Sequence, residues 1–360
     1  MFQWLQQLFS NASAPAAVAP GVAPAPPGSP VAAAASMPAP KPSAGATLSF
    51  DRRDGLNTAY YNWLFGSAGA SELETSAPEN QVLEAVTGIV NSQQSGAALV
   101  RRMPGLIPQL LQSLRSDNFS GAQLSRTISS DLVLVAAVIR LANNATMAYG
   151  SKITSVENAV MLIGTEGLRH LITSVAFRPI IDMHSGQYTR ALAPRIWDQC
   201  ERCAMANRML AEEMGVDPFE AFLAGLVQYV GLIVTLRIMD QIDKGGDELG
   251  SEMFCARLLR DARALSCSIG REWNFPDSVV TGISEQAGAR KGVHISPMGR
   301  LLSQSDYLSK LRILSDNGLA AMGDAALLAG FSASALACYG RLDALADDEL
   351  ALLPVSALAS

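Results

Sequence analysis

The chain has 360 residues, 49% of them hydrophobic and 17% charged, with a formal net charge of −6. That length can bury a sizeable core in one large domain or two ordinary ones. The mild acidity, without any block of Lys and Arg, argues against a nucleic-acid-binding surface.

The first segment, MFQWLQQLF, lacks a positively charged start and is interrupted by Gln3, Gln6 and Gln7, so it reads poorly as a secretory signal. Five scattered cysteines, an odd number, fit a reducing compartment better than a disulfide framework. A cytoplasmic protein is expected. Residues 10–47 are almost wholly Ala, Pro, Ser, Gly and Val, and nine of the eighteen prolines fall between Pro15 and Pro42. Residues 1–47 are therefore expected to form an extended, disordered tether. It carries Phe2, Trp4, Leu5, Leu8 and Phe9, which are either a frayed end or a docking peptide.

From about residue 50 the signals are helical, and an all-α, multi-helix bundle is expected. Residues 48–100 read as a helical N-terminal extension, with an aromatic cluster at Tyr60, Tyr61, Trp63 and Phe65 that caps the domain or faces a partner. Ser120 with Gln123 and Thr154 with Glu157 are spaced as capping boxes. Asp217-Pro218-Phe-Glu220 joins a cap, a proline in the first turn and an acid against the macrodipole. Ser296-Pro297 opens a helix in the same way, within a C-terminal helical extension over residues 296–360.

The uncharged run Ala221–Leu236 could be a membrane span, a buried central helix or the remnant of an active site. Its 16 residues fall short of the roughly 20 of a span. Gln228 sits in its middle, and neither flank carries the basic excess that orients membrane proteins. The buried centre of a bundle is the expectation, with no membrane span.

Four blocks in order carry a family resemblance. They are Met103-Pro-Gly-Leu-Ile-Pro108; Ile128 to Leu134 around Asp131, followed by Ile139-Arg-Leu-Ala-Asn143-Asn144-Ala145; Thr154 to Gly164; and Ala221 to Leu226 around Gly225, with Gly231 and Trp273-Asn-Phe-Pro276. Together they resemble the HDOD domain, a bacterial all-helical module of the HD superfamily found in signalling proteins, over a domain placed at residues 101–295. Leu132 stands where the family often has proline, and Asn144 where it usually has serine. Read without the family, Asn143 and Asn144 are loop clamps near a helix end, and Gly164 is a helix break.

In catalytic members of the superfamily a His-Asp pair centres a metal site that activates water on phosphate esters. By the resemblance that pair falls at Gln228 and Tyr229, neither of which replaces an imidazole or a carboxylate. Cys200, on the helix after Trp197, and Gln286, in Ser284-Glu285-Gln286, stand at further degenerate pocket positions. The three histidines, His170, His184 and His294, have no neighbouring aspartate and read as surface or capping residues. Cys200-Glu-Arg-Cys203 lacks both the second pair of a zinc site and the strand context of a redox motif. No phosphate loop and no serine nucleophile with a base is present.

The expectation is thus a non-catalytic signalling module that needs no metal or cofactor and acts on protein partners. Its old cleft is either filled or reused for a small signalling nucleotide. The alternatives are a phosphohydrolase or phosphodiesterase with an atypical metal site, and a nucleotide-binding sensor without hydrolysis.

Overall fold

The computed structural model describes residues 50–66, 74–91, 173, 186–243, 249–288 and 294–342. Several expected positions, Pro108, Asp131, Asn143, Asn144, Gly164, His170, His184 and the tether at 1–47, lie outside the described residues. Among those described, all regular structure is α-helical: α1 (Phe50–Phe65), α2 (Ala77–Asn91), α3 (Gln187–Leu210), α4 (Pro218–Val227), α5 (Val230–Ile242), α6 (Glu252–Glu272), α7 (Asp277–Gly288), α8 (Pro297–Asp316) and α9 (Ala333–Gly340).

The expected boxes at Ser120 and Thr154 also lie outside the described residues, while the two caps within them act as their spacing predicts. Asp217 accepts the Glu220 N–H at 2.8 Å, and Ser296 Oγ accepts the Gly299 N–H at 3.0 Å, each with proline in the first turn behind it. The Trp273 block is a helix terminator. Asn274 takes a left-handed φ of 53°, and the Phe275 N–H returns to the Gly270 carbonyl at 2.9 Å. This is a Schellman closure in which asparagine serves where glycine is usual. Pro276 then accepts the Val279 N–H at 3.0 Å and leads into α7.

The long helix α3 packs against α4, α5, α8 and α9, while α6 lies against α2, α5 and α7. Two glycines set how closely the centre packs. A Cβ on Gly225 would stand 2.5 Å from the backbone of Ala204, and one on Gly231 would stand 1.9 Å from the Ala262 carbonyl oxygen. Backbone therefore touches backbone, α4 on α3 and α5 on α6, which only glycine permits.

The stretch from Pro218 to Ile242 is long and apolar enough to cross a membrane, and 94% of its apolar window is buried inside the fold. Its apolar side chains meet other helices, as a bundle centre requires. The run is not one helix, however: α4 ends at Val227 and α5 begins at Val230. The tyrosines of α1 are core residues, with Tyr60 only 1% exposed, and Phe65 meets Phe254 edge to face. α8 is likewise buried along much of its length and packs on α1, α3, α4 and α7.

Candidate functional site

Gln228 and Tyr229 form the break between α4 and α5. Gln228 is still helical, with φ −56° and ψ −29°. Tyr229, at φ −103° and ψ 10°, interrupts the spiral. Such a break frees backbone groups that burial would penalise, and neighbouring helices satisfy them. Ser266 Oγ on α6 accepts the Gly231 N–H at 2.9 Å and donates to the Gln228 carbonyl at 2.9 Å. On the other side, Cys203 Sγ accepts Gln228 Nε2 at 3.0 Å, and Cys200, also on α3, stands beside the Tyr229 backbone. The CxxC pair thus lies inside α3, one turn apart, where both sulfurs face the break. Burial first, then Glu201 and Asp306, hold the Cys200 thiol well above its usual range. Burial, Asp306 and Cys200 do the same to Cys203. Both are neutral thiols at neutral pH, not thiolate nucleophiles.

The Tyr229 side chain enters a polar cluster that the sequence did not reveal. Its hydroxyl donates to Asp306 Oδ1 at 2.8 Å, and Gln199 Nε2 donates to the same oxygen at 2.9 Å. The other oxygen, Oδ2, accepts the Lys310 ammonium at 2.7 Å. Lys310 also donates to Asn57 Oδ1 at 2.7 Å and to the Tyr61 hydroxyl at 3.2 Å. The Tyr229 proton is committed to Asp306, so Tyr61 is the donor in the Tyr61–Tyr229 contact of 3.3 Å. Burial, followed by Asp306 and Tyr61, raises the Tyr229 pKa well above the ordinary tyrosine value, which keeps the phenol protonated.

Among the expected pocket positions, then, Cys200, Gln228 and Tyr229 come together at the break. Gln286 is engaged elsewhere: its Nε2 donates to the Gly282 and Gly299 carbonyls, both at 2.9 Å, and so ties α7 to α8. Gly225, Trp273 and Pro276 serve the helix contacts and the turn described above. The residues that sequence reading missed are Gln199, Asn57, Asp306 and Lys310; Tyr61 is expected only as part of the aromatic cluster of α1. Asp306 and Lys310 are four apart, a spacing that in sequence reads as an exposed helix-surface ion pair.

This is a helical domain of HD type, and none of the three histidines in the chain stands next to an aspartate. The HDOD domain family model matches residues 100–288, slightly more than half of the chain, and the chain belongs to that family. An "Uncharacterized protein" of Treponema pallidum (strain Nichols) is 22% identical over 193 residues, which cover 51% of this chain. The match spans only 37% of that relative's length. A crystal structure from Shewanella amazonensis SB2B, provisionally named a metal-dependent phosphohydrolase, superposes with a TM-score of 0.50 at 17% identity, covering 74% of this chain and 98% of that one. An HDOD domain protein from Geobacter sulfurreducens gives 0.49 at 17% identity, over 75% and 90% of the two chains. At such identities the likeness is one of fold.

A catalytic metal needs several lone pairs converging on one point, and the residues around Tyr229 do not fit one. Gln199 and Gln228 use their amide N–H groups, Tyr229 donates its proton, and both thiols are protonated. The Asp306 carboxylate is already engaged by three donors, one of them a cation. Gln199 Oε1 is buried and lacks a partner, but it is a lone neutral oxygen. Among the described residues no three of His, Cys, Asp and Glu are gathered to hold an ion.

Proposed function

We propose that this chain is a non-catalytic regulatory module of the HDOD family, which acts in the cytoplasm through contact with a protein partner in a signalling pathway. One observation carries the reading. The two residues at the positions of the superfamily's ligand pair are spent on packing, Gln228 on Cys203 and Tyr229 on Asp306. Burial of Cys200, Gln228 and Tyr229 supports a filled cleft over one reused for a nucleotide. The flanks belong to the working unit in this reading, because α1, α2 and α8 share the core with helices of the matched span. Residues 1–47 would be a tether that presents the Phe2–Phe9 peptide.

Metal analysis of the purified full chain, paired with a phosphodiester turnover assay, tests the proposal. No stoichiometric metal and no turnover above the uncatalysed rate are expected. Bound iron, manganese or zinc at one or two per chain, together with turnover, overturns it in favour of an enzyme with an atypical site.

A further inference from the structure

Lys310 is fully buried, with 0% of its surface exposed. An interior ammonium is tolerated only when its protons are met and its charge is balanced. Here each of the three protons has its own acceptor: Asn57 Oδ1 at 2.7 Å, Asp306 Oδ2 at 2.7 Å and the Tyr61 hydroxyl at 3.2 Å. Aromatic faces complete the surround. The ring centroids of Tyr61, Tyr60 and Tyr229 lie 4.8, 5.3 and 5.6 Å from Nζ, within the reach of cation–π attraction. Tyr229 is itself one of the two positions at which the family resemblance places the metal-binding pair. The cation beside it comes from α8, and most of its cage from α1, both outside residues 100–288.

We propose that the Lys310 ammonium is the resident cation of this domain, standing in place of a metal ion, and that its surround is a site built for a primary ammonium. The cage chemistry fits that class. One carboxylate, one amide oxygen and one phenol match three N–H donors, and three ring faces attract a monovalent cation. A divalent ion would instead seek several carboxylates or imidazoles. Position also matters: in sequence order the cage closes only when the two flanking segments meet across the centre, so the same contacts that seat the cation join the flanks to the family domain. The inference rests on the reading that Tyr229 has replaced a ligand, but it does not require any particular signalling partner.

The test is chemical rescue in the full chain. Lys310→Ala deletes three carbons and the nitrogen, the atoms of n-propylammonium. Melting temperature is measured for this variant and for wild type in propylammonium chloride, sodium chloride, tetramethylammonium chloride and manganese chloride at equal ionic strength, and in propanol. Propylammonium should raise the melting temperature of the variant alone, saturably and by about 3 °C or more, while the other additives should not. Equal effects of sodium or propanol, or a larger effect of manganese, overturn the proposal. If Lys310→Ala does not fold, the Lys310→Met variant decides. It should melt below wild type and recover in part when Asp306→Leu removes the abandoned carboxylate. A Lys310→Met protein as stable as wild type overturns the proposal, as does a double variant no better than the single. Either failure leaves the metal and turnover test of the regulatory reading untouched, so the two proposals fall separately.

Discussion

Glu79 offers a sharp test of whether the N-terminal flank is part of the body. It lies on α2, outside the matched span, and is 2% exposed. Its Oε1 accepts the N–H groups of Gly250 and Ser251 at 2.9 and 2.8 Å. Its Oε2 accepts the Ser76 N–H at 2.9 Å and the Ser251 hydroxyl at 2.8 Å. The carboxylate thus closes the capping box of its own helix and also sits at the N-terminal end of α6. Hydrogen bonds to a charged group contribute about 1.5–3 kcal/mol each, without simple additivity. Glu79→Ala leaves the Gly250 and Ser251 N–H groups without this acceptor, for a cost of about 3–4 kcal/mol. In Glu79→Gln the amide oxygen can keep those two donors and the NH₂ can donate to Ser251 Oγ. Only the Ser76 N–H and the charge are then lost, at about 2 kcal/mol. Urea unfolding of the full chain, followed by far-ultraviolet circular dichroism, reads both. The same carboxylate predicts an acid dependence. Burial alone would raise its pKa, but the Gly250, Ser251 and Ser76 N–H groups and the Ser251 hydroxyl outweigh this and hold it below the ordinary value of 4.5. The unfolded chain therefore takes up the proton first, and stability present above pH 4.5 is lost as pH falls through the lower native pKa. Wild type should lose stability on acidification more steeply than Glu79→Gln in that window. Two variants within about 0.5 kcal/mol of wild type, with parallel acid profiles, would refute the docking of α2 onto α6.

Two other tests probe the centre. Gly231→Ala should cost at least about 3 kcal/mol or prevent folding, since its Cβ would collide with the Ala262 carbonyl, which belongs to backbone and cannot swing aside. Gly88→Ala, with nothing within 4 Å, should instead be neutral or stabilise α2 by up to about 1 kcal/mol; equal melting of the two variants would contradict the packing of α5 on α6. Burial pushes Cys255 and Cys338 up to about 12 and raises Cys200, Cys203 and Cys267 as well. Iodoacetamide at pH 8 should therefore leave the folded chain unlabelled over a time that alkylates all five cysteines in urea. Prompt labelling of Cys200 or Cys203 in the native protein would show a reactive pair.

Much of the fold was legible because its signals are local. A cap at Asp217 or Ser296 needs only the next three residues, so spacing alone exposes it. The capping box of Ser76 and Glu79 has the same spacing and could have been found, but its second role at Gly250 and Ser251 could not, because those residues are about 170 positions away. The break at Gln228–Tyr229 was also hidden. An unbroken apolar run gives no stop signal, and freed backbone groups at Gln228 and Gly231 are met by Ser266, far along the chain on α6.

The sequence by itself determined that the body is helical, that Ala221–Leu236 belongs in its interior, that the family is HDOD, and that positions 228 and 229 carry an amide and a phenol. Tertiary structure alone decided what those two side chains meet. Helical periodicity places Asp306 and Lys310 on one face of α8 but says nothing of where that face points. Only when α1, α3 and the break at Tyr229 close over it does a pair that would be solvated on an isolated helix become a desolvated charge centre. Burial is a property of what packs against a residue, not of the residue's neighbours in the chain.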